Sequence, residues 1–116
     1  MSTFKVNTLQ SITGGVTTLT NQSACKHWCF FVGTGTVTIN DSFNTASLTD
    51  HGTGNYGANL TNAMSDANQG LFGLGSTGET ADNRGTATQS RVATFNSSGT
   101  LTDASRCNIQ FQGDLA

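Results

Sequence analysis

The chain has 116 residues, enough for one domain that buries roughly two-thirds of its unfolded surface. Only 10% of its residues are charged, the net charge is −2, and the five Lys and Arg residues stand singly at Lys5, Lys26, Arg84, Arg91 and Arg106, which excludes a basic footprint for nucleic acid. The apolar runs are a handful of residues long, against about 20 for a membrane-spanning helix, so no membrane insertion is expected.

Thr, Ser, Asn and Gly take the place of the missing charge. Threonine is β-branched and suits strands, while Gly and Asn suit the positive-φ turn positions between them. With 14 glycines and no proline, the composition predicts a turn-rich, all-β domain.

Residues 1–20, MSTFKVNTLQSITGGVTTLT, alternate weakly and hold little apolar surface, so a docking segment is expected there, packing on the domain that follows (21–116) or on another chain. The opening lacks a secretory pattern, so an extracellular role implies release by lysis or as part of a particle. Cys25 to Val32 reads as a central strand that is apolar on both faces: Trp28 and Phe30 point one way, Cys29 and Phe31 the other. One face makes the core, and the other needs a cover, for which a symmetric partner subunit is economical. Trp28 and Phe30 are therefore the candidate oligomer interface.

Gly33-Thr34-Gly35 turns the chain toward Val37 and Ile39, the inward positions of the next strand, and Asp41 to Asn44 reads as a corner. Leu48 to Leu60 reads as a hairpin around Asp50–Asn55, and residues 61–68 as a bend or single helical turn. Leu71, Phe72 and Leu74 mark a short strand. Residues 75–86, GSTGETADNRGT, are predicted to be the longest exposed loop. Ala87 to Phe95 alternates again, Asn96–Gly99 reads as a hairpin turn, and Ser105 to Phe111 puts Cys107, Ile109 and Phe111 on one face of a final strand. The fold class expected is an antiparallel β-sandwich, jelly-roll-like or Greek-key.

Cysteines 25, 29 and 107 are odd in number, which rules out a complete internal disulfide framework. Cys25, His27 and Cys29 share one strand face at a spacing compatible with metal, but they lack a fourth ligand. Packing as small core groups is preferred, as free cysteine usually does. No catalytic residue, metal ligand or cofactor is assigned: the histidines His27 and His51 and the scattered acids suggest no triad, and Gly33-Thr34-Gly35 lacks the lysine of a phosphate loop. The acids and amides at 50–55 and 79–83 offer oxygen ligands for Ca²⁺, but solvated turn residues are the preferred reading. Tyr56, just after a loop, is the best candidate for an exposed contact.

Several phrases then carry a resemblance. Lys26-x-Trp28, Gly33-Thr34-Gly35-Thr36-Val37, Asp41-Ser42-Phe43-Asn44, Leu48-Thr49-Asp50-x-Gly52-Thr53-Gly54-x-Tyr56 and Asn62-Ala63-Met64-x-Asp66-Ala67-Asn68 occur in order, followed by Thr94-x-Asn96-Ser97-Ser98-Gly99-Thr100-Leu101-Thr102-Asp103 and Gln112-Gly113-Asp114. Together with the leader Phe4 to Gln10 they resemble a domain of tailed bacteriophages, especially marine ones, that is labelled tail fibre or virion structural protein. Cys29 departs from that pattern, where a branched aliphatic is usual, as do His51, often Asn, and Gln69-Gly70; the loop Gly75–Gly85 has no stable counterpart.

The resemblance implies a non-enzymatic, often trimeric protein on the virion exterior, assembled in the host cytoplasm. The expected partners are further copies of itself as a homotrimer, other tail or capsid proteins through the N-terminal segment, and a host-surface glycan at the loops. The candidate receptor contacts are Asp50, His51, Asn55, Tyr56, Glu79, Asp82, Asn83 and Arg84. The alternatives are a capsid decoration protein and a carbohydrate-binding module.

Overall fold

The computed structural model describes Thr13 and residues 24–68, 70–77, 79–82 and 85–113. All but Thr13 of the expected docking segment, residues 1–20, lies outside the described residues. The strands are β1 (Ala24–Val32), β2 (Thr38–Phe43), β3 (Thr45–Asp50), β4 (Asn55–Leu60), β5 (Gly70–Gly75), β6 (Glu79–Asp82), β7 (Gln89–Phe95) and β8 (Cys107–Gly113). Among the described residues there is no helix.

The strands form two antiparallel four-stranded sheets, a front sheet ordered β2-β1-β8-β5 and a back sheet ordered β3-β4-β7-β6. The protein is a β-sandwich. Pairing is nested: β1 lies beside β8 in one sheet and β4 beside β7 in the other, so the two ends of the domain close on each other, as in jelly-roll folds. The core-facing positions in β1 and β8 follow directly from alternation. His27, Cys29 and Phe31 are buried on β1, and Cys107, Ile109 and Phe111 on β8. Tyr56 and Ala58 of β4 and Val92 of β7 meet them from the back sheet, with Val37, Ile39, Leu48 and Leu71 closing the margins. Burying a side chain of this size contributes about 1.5–3 kcal/mol. Phe31 and Tyr56 cross edge to face at 5.3 Å in the middle of this core.

The chain changes sheets at Asn44, whose φ of 58° is one that asparagine tolerates. Its side chain pins the corner: Nδ2 donates to the carbonyls of Lys26 and Asn62, and Oδ1 accepts the Asn62 N–H. The predicted corner therefore narrows to one residue, because Asp41 to Phe43 continue β2 against β1. Residues 61–68 form bends, not a helical turn.

One expectation is corrected. The stretch 75–86 is not one long loop, because Glu79–Asp82 forms β6 at the edge of the back sheet, paired with β7 from Phe95 to Val92. The sequence ETAD has no alternation; pairing with β7 and the Thr80 hydroxyl donating to the Gly73 carbonyl at 2.7 Å hold it extended. The turn at Asn96–Gly99 forms as expected and closes a small antiparallel bridge, Phe95 to Leu101. β7 and β8 belong to different sheets, and residues 102–106 carry the chain across.

Candidate functional site

The end of the sandwich that carries the loops is knotted together by one buried phenol. The Tyr56 hydroxyl lies 3.0 Å from the Gly33 carbonyl and 2.9 Å from Asp103 Oδ1, and it accepts the Ala104 N–H. The same Asp103 oxygen accepts the Gly54 N–H at 2.7 Å. Gly54 needs its φ of 66° there, and a Cβ would strike the Thr94 carbonyl oxygen at 2.6 Å. Burial, reinforced by the bond to Asp103, raises the Tyr56 pKa well above that of a free phenol. Tyr56 is 0% exposed, which overturns its reading as an exposed receptor contact. A tyrosine just after a loop looks accessible in sequence, but here the polar tip is satisfied inside and the ring is core.

The other candidate contacts are dispersed. Asp50 ends β3 and caps its turn by accepting the Gly52 N–H at 2.8 Å. His51 is exposed and folds back over the sheet, its Nε2 3.3 Å from Gln89 Oε1. Asn55 opens β4 and is half-buried. Glu79 and Asp82 are the first and last residues of β6. Asn83 and Arg84 lie outside the described residues. The connection into β7 returns at the Thr86–Gln89 bridge, and Gln89 is level with Asn59, the opposite end of β4 from Asn55. The structure thus brings Asp50, His51 and Asn55 together, with the Thr86–Gln89 bridge at the other end of β4.

His27, Cys29 and Cys107 are core groups. The His27 ring packs edge-on to Phe111 at 5.9 Å, with Nε2 3.0 Å from the Thr45 hydroxyl of the back sheet. Its Nδ1 is buried without a hydrogen-bond partner. Burial lowers the His27 pKa to about 4 and raises the thiols of Cys29 to about 11 and Cys107 to about 12. These groups are held neutral and away from solvent. Cys25 is exposed and its thiol donates to the His27 carbonyl. Among the described residues no three His, Cys, Asp or Glu side chains are placed to hold a metal ion.

The outer faces of the two sheets are the larger features. On the back sheet, Gln89 Nε2 donates to Asn59 Oδ1 at 2.6 Å, and Asn59 Nδ2 donates to both Ser47 Oγ and Thr49 Oγ1 at 2.9 Å. Gly57 leaves the space in which the Gln89 carboxamide lies. On the front sheet, registered pairs build two transverse rows. The first runs Phe43, Trp28, Gln110, Phe72, and the second Asp41, Phe30, Asn108, Leu74. Phe43, Phe72 and Leu74 are 52%, 57% and 55% exposed, while Trp28 and Phe30 are half-buried.

Trp28 and Phe30 therefore point away from the core, on a broader apolar face than sequence alone assembles. Phe43, Phe72 and Leu74 join them only because β2 and β5 flank the β1–β8 pair. Parity in each strand is a legible signal; the order of the strands is not.

Comparison with protein-family models, with curated proteins and with solved structures gives no match.

Proposed function

We propose that this chain is a non-enzymatic structural protein of a bacteriophage particle, tail-fibre-like, which assembles through the outer face of its front sheet and presents loops to a host surface. The ordered phrases between Lys26 and Asp114 support the phage part of this reading through their resemblance to virion proteins. The observation that carries the structural part is the apolar front face. A row of Phe43, Trp28 and Phe72 on a sheet surface is unfavourable in water and favourable against a partner.

Polarity along the strands fits the same role. β1 begins at Ala24, beside Gly113, at one end of the sandwich. The turns at 33–37 and 51–54 and the 96–106 crossing gather at the other end, around Tyr56 and Asp103. Attachment at one end and exposed polar loops at the other suit a protein that docks on a particle and reaches outward, with weak contacts multiplied by repetition.

The test is the copy number of the chain in purified particles of the encoding phage, by quantitative mass spectrometry against the major coat protein. A small number per particle supports a tail location. A ratio near one per coat subunit would move the protein to capsid decoration, and absence from the particle would overturn the virion reading.

A further inference from the structure

Three strands of the front face are arranged symmetrically about β8. This strand presents Asn108 and Gln110 outward, and apolar side chains flank them on both sides: Trp28 and Phe30 on β1, Phe72 and Leu74 on β5. We infer that this face packs against the same face of a second copy of the chain, related by a two-fold axis that runs along β8.

Three observations favour a second copy over another occupant. First, rotation about β8 sets Trp28 opposite the partner's Phe72 and Phe30 opposite the partner's Leu74, so these two aromatics of β1 each meet an apolar group on the other copy. Phe43, on the overhanging β2, lies outside this overlap. Second, a residue on the axis meets itself. A carboxylate or ammonium there would repel its copy, whereas an amide offers both donor and acceptor and can bond to its own kind. Asn108 Oδ1 is buried with no hydrogen-bond partner, so the amide has acceptor capacity unused within one subunit. A turn of the amide about its last torsion brings that oxygen to the partner.

Third, the rows carry one charge, Asp41, and it stands on the edge strand β2. In the two-fold pairing β2 overhangs the partner's β5, which leaves Asp41 in water at the rim. Between Phe30 and Leu74 a cleft of about 300 Å³ opens over Asn108, with room for a partner side chain. The three strands that overlap, about 4.8 Å apart and six residues long, give a face of roughly 300 Å² per subunit in projection. That is below the usual size of a stable interface, so weak association, on the order of 100 micromolar or above, is expected.

This pairing deepens the assembly part of the proposed function and does not depend on the virion part. Three copies cannot meet same face to same face, so the trimer implied by the resemblance would count against it.

The full chain is to be followed by sedimentation from about 1 to several hundred micromolar, with emission of Trp28, the only tryptophan, read on the same samples. The expected result is a monomer–dimer equilibrium in which Trp28 emission shifts to the blue as the dimer forms. The double variant Phe72→Ser with Leu74→Ser should weaken the dimer by about a hundredfold or more. Both side chains are already exposed, so its thermal melt as a monomer should stay close to that of the parent. A parent that stays monomeric throughout, a trimer, or a dimer unchanged by the double variant would overturn the pairing. A Trp28 shielded at every concentration in a monomer would assign the cover to the chain itself and would also overturn it. None of these outcomes alters the particle copy number, which tests the virion reading separately.

Discussion

Away from the core, the front sheet presents Phe43, Trp28, Phe30, Phe72 and Leu74, whereas the back sheet presents Ser47, Thr49, Asn59, Gln89 and Arg91. Both sheets have four strands and close on the same core. On the back face Asn59 and Gln89 are hydrogen-bonded to their neighbours across the strands, although Arg91 Nε is buried without a partner. The front face has amides along β8, and Phe43, Phe72 and Leu74 are exposed among the described residues. A sheet finished in the first way is stable facing solvent; one finished in the second way is a surface for assembly.

The widest separation between inside and outside is expected in acid, through the histidine that joins the sheets. His27 on β1 reaches Thr45 on β3, and burial holds its pKa near 4, below the usual 6.5. Its folded pKa is the lower one, so the unfolded chain takes up the proton first. Stability is fully present above about pH 6.5 and is lost as the pH falls through 4, by up to roughly 3 kcal/mol. Urea midpoints measured between pH 7 and 4 should fall, and a His27→Gln variant should show a flatter pH dependence over that window.

Tyr56→Phe comes next. It removes the hydroxyl shared by Gly33, Asp103 and Ala104 and leaves buried polar groups unpaired, at a cost of about 2 kcal/mol read from chemical denaturation. A neutral outcome would mean that the loop end is not held by this knot.

The same small substitution should then behave differently on the two sides of the fold. A Cβ on Gly73, which faces the core from β5, would lie 2.6 Å from Val92 Cγ2, and that branched side chain has little freedom to retreat. Gly73→Ala is expected to cost about 1.5 kcal/mol. At Gly57, on the outer back face, the clash is with the end of the Gln89 side chain, which can swing into water. Gly57→Ala should change stability by less than about 0.5 kcal/mol. Equal losses at both positions, measured by thermal melts, would erase the distinction between a packed interior and a wet outer face.

The smallest effect on the isolated subunit is expected from Phe72→Ser, within about 0.5 kcal/mol at dilute concentration. Gln89→Ala, which breaks the amide chain of the back face, should cost a comparable amount or slightly more. The first alone should raise solubility and reduce association.

β1 and β8 were readable in sequence because apolar residues recur there at every second position, and their paired burial follows from parity. The hairpin around Asp50–Asn55 was readable from its glycines and amides. β6 was not, since its four residues become a strand only by pairing with β7. Tyr56 was misread because its partner Asp103 lies 47 residues further along the chain, and nothing local announces that bond. Half of the front face was visible as Trp28 and Phe30. The other half required the sheet order, which places β5 beyond β8 and is a property of the fold, not of any local pattern.

The contrast between the faces is tested most directly by hydroxyl-radical footprinting of the full chain, compared at low and high concentration. The account predicts that labelling of Trp28 and Phe72 falls as concentration rises, while labelling of His51 on the back face stays constant. Unchanged labelling at all three residues, or protection of His51 alone, would contradict it.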